Sequence, residues 1–143
     1  MIDKFEGKYF FLSNFYECPI EYNRLTYQNA EAAFHAQKTF NLELQKEFTT
    51  LNPSRAKKLG RAIPLRKDWE EIKLEHMKAI LYCKFMQHPD LKEKLISTYP
   101  HELIEGNWWN DKFWGVCKGV GENNLGKLLM ELRDSFRKEK PLD

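Results

Sequence analysis

Residues 68–89 restrict the fold of this chain more than any other stretch. Asp68 can cap a helix, Glu71 stands three residues on as in a capping box, and nothing breaks the chain until Pro89 forbids continuation. The second half of the segment (Ala79, Ile80, Leu81, Tyr82, Cys83, Phe85, Met86) is apolar nearly all round. Such a helix belongs inside a molecule, so the other elements have to be arranged about it.

Those elements are shorter. Residues 9–12 read as a strand, and residues 18–22 and 25–27 as two more around a turn at Asn23-Arg24. Residues 41–50 read as helical, and Asn52-Pro53 is an N-cap followed by proline at the first helical position, opening a helix that Gly60 is expected to stop. Beyond the long helix, Asp90 begins a helix with Leu91, Leu95 and Ile96 inward, closed by Pro100, and residues 103–105 are a strand candidate. The glycine-rich stretch 106–121 lacks a regular pattern but carries Trp108, Trp109, Phe113 and Trp114, rings expected to pack over something. From Asn123 or Asn124 onward, Leu125, Leu128, Leu129, Leu132 and Phe136 share one helical face. The expectation is a mostly helical α+β fold, a single compact domain with a small N-terminal β-hairpin and a long buried central helix; 143 residues suffice for a real core.

A formal net charge of +2 is too small for a nucleic-acid coat protein. Charge is nonetheless uneven, with six basic and no acidic residues over positions 55–67, a solvated face or one that meets phosphate. Cys18, Cys83 and Cys117 form no Cys-x-x-Cys pair, and the four histidines have no metal-ligand spacing, so neither a disulfide framework nor a metal site is expected. No apolar run has the length of a signal peptide core or a membrane span. These features predict a cytoplasmic protein without metal or cofactor, a monomer or weak oligomer that does not engage a membrane.

Residues 27–40 carry the first candidate chemistry. Their alanines favour helix, Asn29 can cap it, and Glu31 then falls in the first turn, where the helix dipole favours a carboxylate. Lys38 lies seven positions on, roughly 10 Å along the axis of a continuous helix and on the same face. An acid and an amine then line one side, although any stable surface helix can carry the same pair. Asp111 is the second acid. Set among indoles it is partly desolvated, the setting in which carboxyl groups exchange protons near neutrality; an Asn-Asp turn is the plain alternative. Glu105 is similarly ambiguous, and Trp69 reads either as a core anchor or as a stacking platform for a heterocycle. Gly119, Gly121 and the asparagines before the last helix suggest an anion site only weakly, since no dinucleotide-fold context or P-loop accompanies them.

Six segments then carry a family resemblance: Phe11-Leu-Ser-Asn-Phe15; the Glu31 helix with its Ala-Gln-Lys38 ending; Pro64-Leu-Arg-Lys-Asp-Trp69; Lys84-Phe-Met-Gln-His-Pro89; Glu105 through Asp111 to Phe113-Trp114-Gly115; and Asn124-Leu-Gly-Lys-Leu-Leu-Met-Glu-Leu-Arg133. In this order, over nearly the whole chain, they resemble the NADAR (YbiA-like) family. The resemblance implies a compact, mostly helical α+β domain that cleaves N-glycosidic bonds. Its substrate would be a phosphorylated ribosylamino-pyrimidine of riboflavin synthesis, or ADP-ribosylated guanine in DNA, RNA or a nucleoside. By position, Glu31, Lys38 and Asp111 match the family's reacting groups, Lys38 as a nucleophile toward the ribose carbon. Trp69 matches a catalytic or base-contacting position, and the matched motifs add Glu105, Gly115 and Asn124 to the substrate-binding set. Trp69 or Trp114 would stack on the base, Arg61, Arg66 and Arg133 would meet phosphate, and Ser13 and Asn14 the ribose hydroxyls. The chain departs from the family in a loop made one residue longer by Trp108-Trp109 than in some members, and in Cys117, where many have glycine. A module that binds ADP-ribose or a nucleotide without cleaving it is the competing class.

Overall fold

The computed structural model describes residues 1–139, which fall into two compact units. The first runs over Asn14–Gln87. It opens with β1 (Glu17–Tyr22) and β2 (Leu25–Asn29), an antiparallel hairpin in which Ile20 faces Tyr27 and Tyr22 faces Leu25. Asn23 and Arg24 both have positive φ, 49° and 71°, the conformation a two-residue hairpin turn needs. β2 extends through Asn29, so the helix α1 (Ala30–Ala36) is much shorter than residues 27–40. The Asn29 side chain accepts from the Ala32 N–H at 2.7 Å, fixing the start of α1 as the sequence suggested.

Next come α2 (Leu42–Glu47), a 3-10 turn (Phe48–Thr50), α3 (Pro53–Ala62) and α4 (Trp69–Gln87). Asn52 caps α3 as expected. Gly60, however, does not end that helix. It lies inside α3, where α1 approaches so closely that a β-carbon on Gly60 would stand 2.1 Å from Nδ1 of His35. The α1 alanines 30, 32, 33 and 36 are fully buried, which lets α1 pack against α3, α4 and the hairpin. On α4, Met77, Ile80, Leu81, Lys84 and Phe85 face inward, but Tyr82 and Met86 are 48% and 42% exposed. Its second half is therefore one-sided, not apolar-buried all round. The Asp68 carboxylate read as the α4 cap takes two bonds from the Arg66 guanidinium, at 2.6 and 2.9 Å.

The second unit combines Met1–Ser13 with the chain from His88 onward. Residues 9–12 belong to a 3-10 helix (Gly7–Leu12), not a strand. Ile2 pairs with Leu103 in an isolated bridge, α5 (Pro89–Ser97) packs on α6 (Asn124–Glu139), and β3 (Gly106–Asn107) runs parallel to β4 (Val116–Cys117). Leu91, Leu95, Leu103, Leu125, Leu129 and Phe136 are buried. The indole-bearing loop behaves differently from expectation: Trp108 is 83% exposed and meets Trp109 edge to face. No helix of the described residues is long and apolar enough to cross a membrane, and no group of three or more His, Cys, Asp or Glu among them is placed to hold a metal ion.

Candidate active site

Within Asn14–Gln87 the short helix α1 and the turn after it gather an acid, an imidazole and an amine. Glu31 Oε1 lies 2.7 Å from His35 Nε2, one helical turn along, and both side chains are largely buried, 15% and 7% exposed. The Glu31 N–H is held by the Asn14 carbonyl at 3.1 Å, while the buried Asn14 amide reaches Met77 Sδ. Lys38 lies beyond the helix, in the turn that closes it, with its N–H on the His35 carbonyl. Its Nζ donates to the Gly60 carbonyl at 3.2 Å and stands 6.0 Å from the centre of the Trp69 ring. Gly60 thus serves twice, seating the His35 ring against its Cα and receiving Lys38 on its oxygen.

The electrostatics suit a reactive amine. Burial lowers the Lys38 pKa from its ordinary value, and the charges of Arg61 and Lys73 push the same way against the opposing attraction of Glu31. Trp69 is 5% exposed and packed between the Phe34 ring at 5.1 Å and the stacked His76 ring at 6.5 Å. Tyr22 Oη and His76 Nδ1 share a hydrogen bond at 2.7 Å. Arg66 fixes the Lys38 segment from outside: its N–H donates to the Lys38 carbonyl at 2.8 Å, its guanidinium stacks 4.0 Å over Phe40, and the same guanidinium grips Asp68. Arg61 is exposed at the end of α3.

The remaining candidates lie in the other unit. Asp111 Oδ1 accepts from the N–H groups of Phe113 and Trp114, at 3.2 and 2.9 Å, and Asn107 bridges Glu105 Oε2 to the Asp111 carbonyl. Gly115 is required by close approach, since a β-carbon there would lie 2.2 Å from the Glu105 carbonyl oxygen. Asn123 ties Glu105 N–H to the Leu103 carbonyl, and Asn124 donates to the Phe113 carbonyl at 2.9 Å. Arg133 is 4% exposed, and its Nη1 donates to Thr98 Oγ1 and the His101 carbonyl. Ser13 ends the N-terminal 3-10 helix. The structure therefore brings Asn14, Glu31, Lys38, Arg61, Arg66 and Trp69 together in one unit, and Glu105, Asp111, Trp114, Gly115 and Asn124 in the other. The sequence reading missed His35, Asn107 and Asn123; of these only His35 left a signal, its spacing of four from Glu31.

A family model, the NADAR domain, matches residues 2–137. The chain belongs to the NADAR family. Among NADAR proteins, the N-glycosidase YbiA of Escherichia coli is 39% identical over 132 residues, covering 90% of this chain and 82% of that one. The solution structure of E. coli YbiA superposes with a TM-score of 0.85 at 35% identity, over 99% of this chain and 92% of the other. A protein of Vibrio vulnificus named for riboflavin biosynthesis is 34% identical over 135 residues, 92% of this chain but only 36% of its own length. The fold is thus that of YbiA, and the chain stands with the N-glycosyl hydrolases of its family.

Proposed function

We propose that this NADAR chain hydrolyses the bond between a ribosyl carbon and the nitrogen of a base, with Glu31 and Lys38 as the reacting groups. One observation carries the reading: a largely buried carboxylate on α1 and, just after the helix, a half-buried amine of lowered pKa beside the indole of Trp69. Breaking a ribosyl C–N bond leaves positive charge on the sugar, which a fixed carboxylate in a sheltered site stabilises. An uncharged lysine is a nucleophile, and the lowered pKa makes that form more accessible at Lys38 than in an exposed lysine. On this route Lys38 Nζ bonds to C1′ as the C1′–N bond breaks and the base leaves with a proton. The C1′–O4′ bond then opens, leaving an imine between Nζ and C1′, and water releases both sugar and lysine. Direct attack by water with Glu31 stabilising the sugar is the second route, and Asp111 is the further acid to be tested in either.

For the substrate we propose a phosphorylated ribosylamino-pyrimidine first, supported by the name of the Vibrio relative, and ADP-ribosylated guanine second. The test is to incubate the protein with each and follow free base and free sugar phosphate by chromatography. Turnover of either, lost in Glu31→Gln, is expected. Tight binding of both with no release would make this chain a binding module and overturn the proposal.

A further inference from the structure

We infer that His35 is a positioning residue for Glu31: its Nε2–H holds Oε1 of the carboxylate and leaves the second oxygen for the sugar. The inference rests on Glu31 being the reacting acid proposed above. Its own basis is the seating of the ring. The two groups are 2.7 Å apart across one turn of α1, and the His35 side chain is 7% exposed. Gly60 closes the opposite side so tightly that a β-carbon there would lie 2.1 Å from Nδ1 and 2.4 Å from Cγ. Phe34 meets the ring at 70° and 5.5 Å. An imidazole enclosed on these sides cannot swing away from the carboxylate.

The same enclosure fixes the proton. Nδ1 is buried and has no hydrogen-bond partner among the described residues. A proton there would be a buried donor with no acceptor, which is costly, whereas a bare ring nitrogen sacrifices far less. The proton therefore sits on Nε2, facing the one strong acceptor in reach. A charge-assisted bond from a donor that does not move gives the carboxylate a single orientation before substrate arrives.

Two measurements test this. In kinetics, His35→Ala is expected to lower kcat by about 10–100-fold, the scale of a misplaced reacting group, with KM within about threefold. His35→Gln, which can present an amide N–H at the same place, should recover most of kcat; an effect of packing alone would instead follow side-chain shape and fall on stability in both variants. Long-range nitrogen–proton NMR of the imidazole should show Nε2 protonated and Nδ1 bare, with the Nε2 signal displaced in Glu31→Gln. A His35→Ala enzyme with wild-type kcat, a proton on Nδ1, or a ring signal indifferent to Glu31→Gln would each overturn the inference. If the wild-type protein releases no base, the functional reading fails, and the ring spectrum still decides whether His35 holds Glu31.

Discussion

Replacing Gly60 by alanine sets two effects of opposite sign against each other. Inside a free helix the change stabilises by about 0.8–1 kcal/mol, because glycine is a poor helix former. Here the new methyl group would lie 2.1 Å from His35 Nδ1, 2.4 Å from Cγ and 2.8 Å from its β-carbon, where ordinary contact begins at 3.4 Å. The obstacle is the root and ring of a buried side chain, not a flexible tip, so α1 and α3 must separate or His35 must leave its rotamer. Overpacking of this kind costs on the order of 1–3 kcal/mol, enough to reverse the helix gain. Gly60→Ala should lower the urea midpoint without changing the slope of the transition, and lower Tm by roughly 2–4 °C per kcal/mol for a chain of this size. Base release should fall as well, because the substitution displaces both the His35 ring and the carbonyl that holds Lys38. A Gly60→Ala protein as stable as wild type, or more so, would refute the close approach of α1 to α3.

Removing the Arg61 charge in Arg61→Gln lets the Lys38 pKa rise, so the acid limb of the kcat–pH profile, along which Lys38 loses its proton, should move to higher pH; a shift downward or none contradicts the coupling. Asp111→Asn keeps an oxygen for the Phe113 and Trp114 N–H groups but loses the charge. An unchanged Tm with a fall in kcat would show that the charge serves chemistry, and an unchanged kcat would remove Asp111 from it. Lys84 is fully buried, and burial lowers its pKa to about 8. Between that value and about 10.5 the unfolded chain binds the proton that the folded chain has released, so unfolding stability should rise with pH across this window. Urea unfolding should show that rise in wild type and lose it in Lys84→Met; equal slopes in the two proteins would contradict it.

Local signals were legible in this sequence and tertiary ones were not. Asn29 and Asn52 cap their helices because capping needs only a side chain and the next three residues. The apolar face of the last helix was readable for the same reason, with Leu125, Leu129 and Phe136 buried. Residues 27–29 stayed in a strand because β2 pairs with β1, a long-range event that alanine propensity does not report, and α1 ends at Ala36, which leaves Lys38 in the turn beyond it. Gly60 looked like a helix stop because glycine often is one; its use as a seat for His35 depends on a neighbour 25 positions away. Asp68 stands directly before α4, where its spacing put it, and its carbonyl accepts from Glu71 and Ile72; the two bonds its carboxylate takes from Arg66 were not legible in the spacing. The Glu31–His35 spacing was visible, yet it looks the same on a solvated helix as in a buried one; burial is what made the pair a candidate part of a site.

We propose Lys38 and Glu31 as the reacting centre. Borohydride added during turnover, followed by peptide mass mapping, tests it most directly. A reduced sugar adduct is expected on the peptide containing Lys38, absent from Lys38→Ala and strongly diminished in Glu31→Gln. Full base release by wild type with no adduct, together with a Lys38→Ala protein as active as wild type, would exclude it.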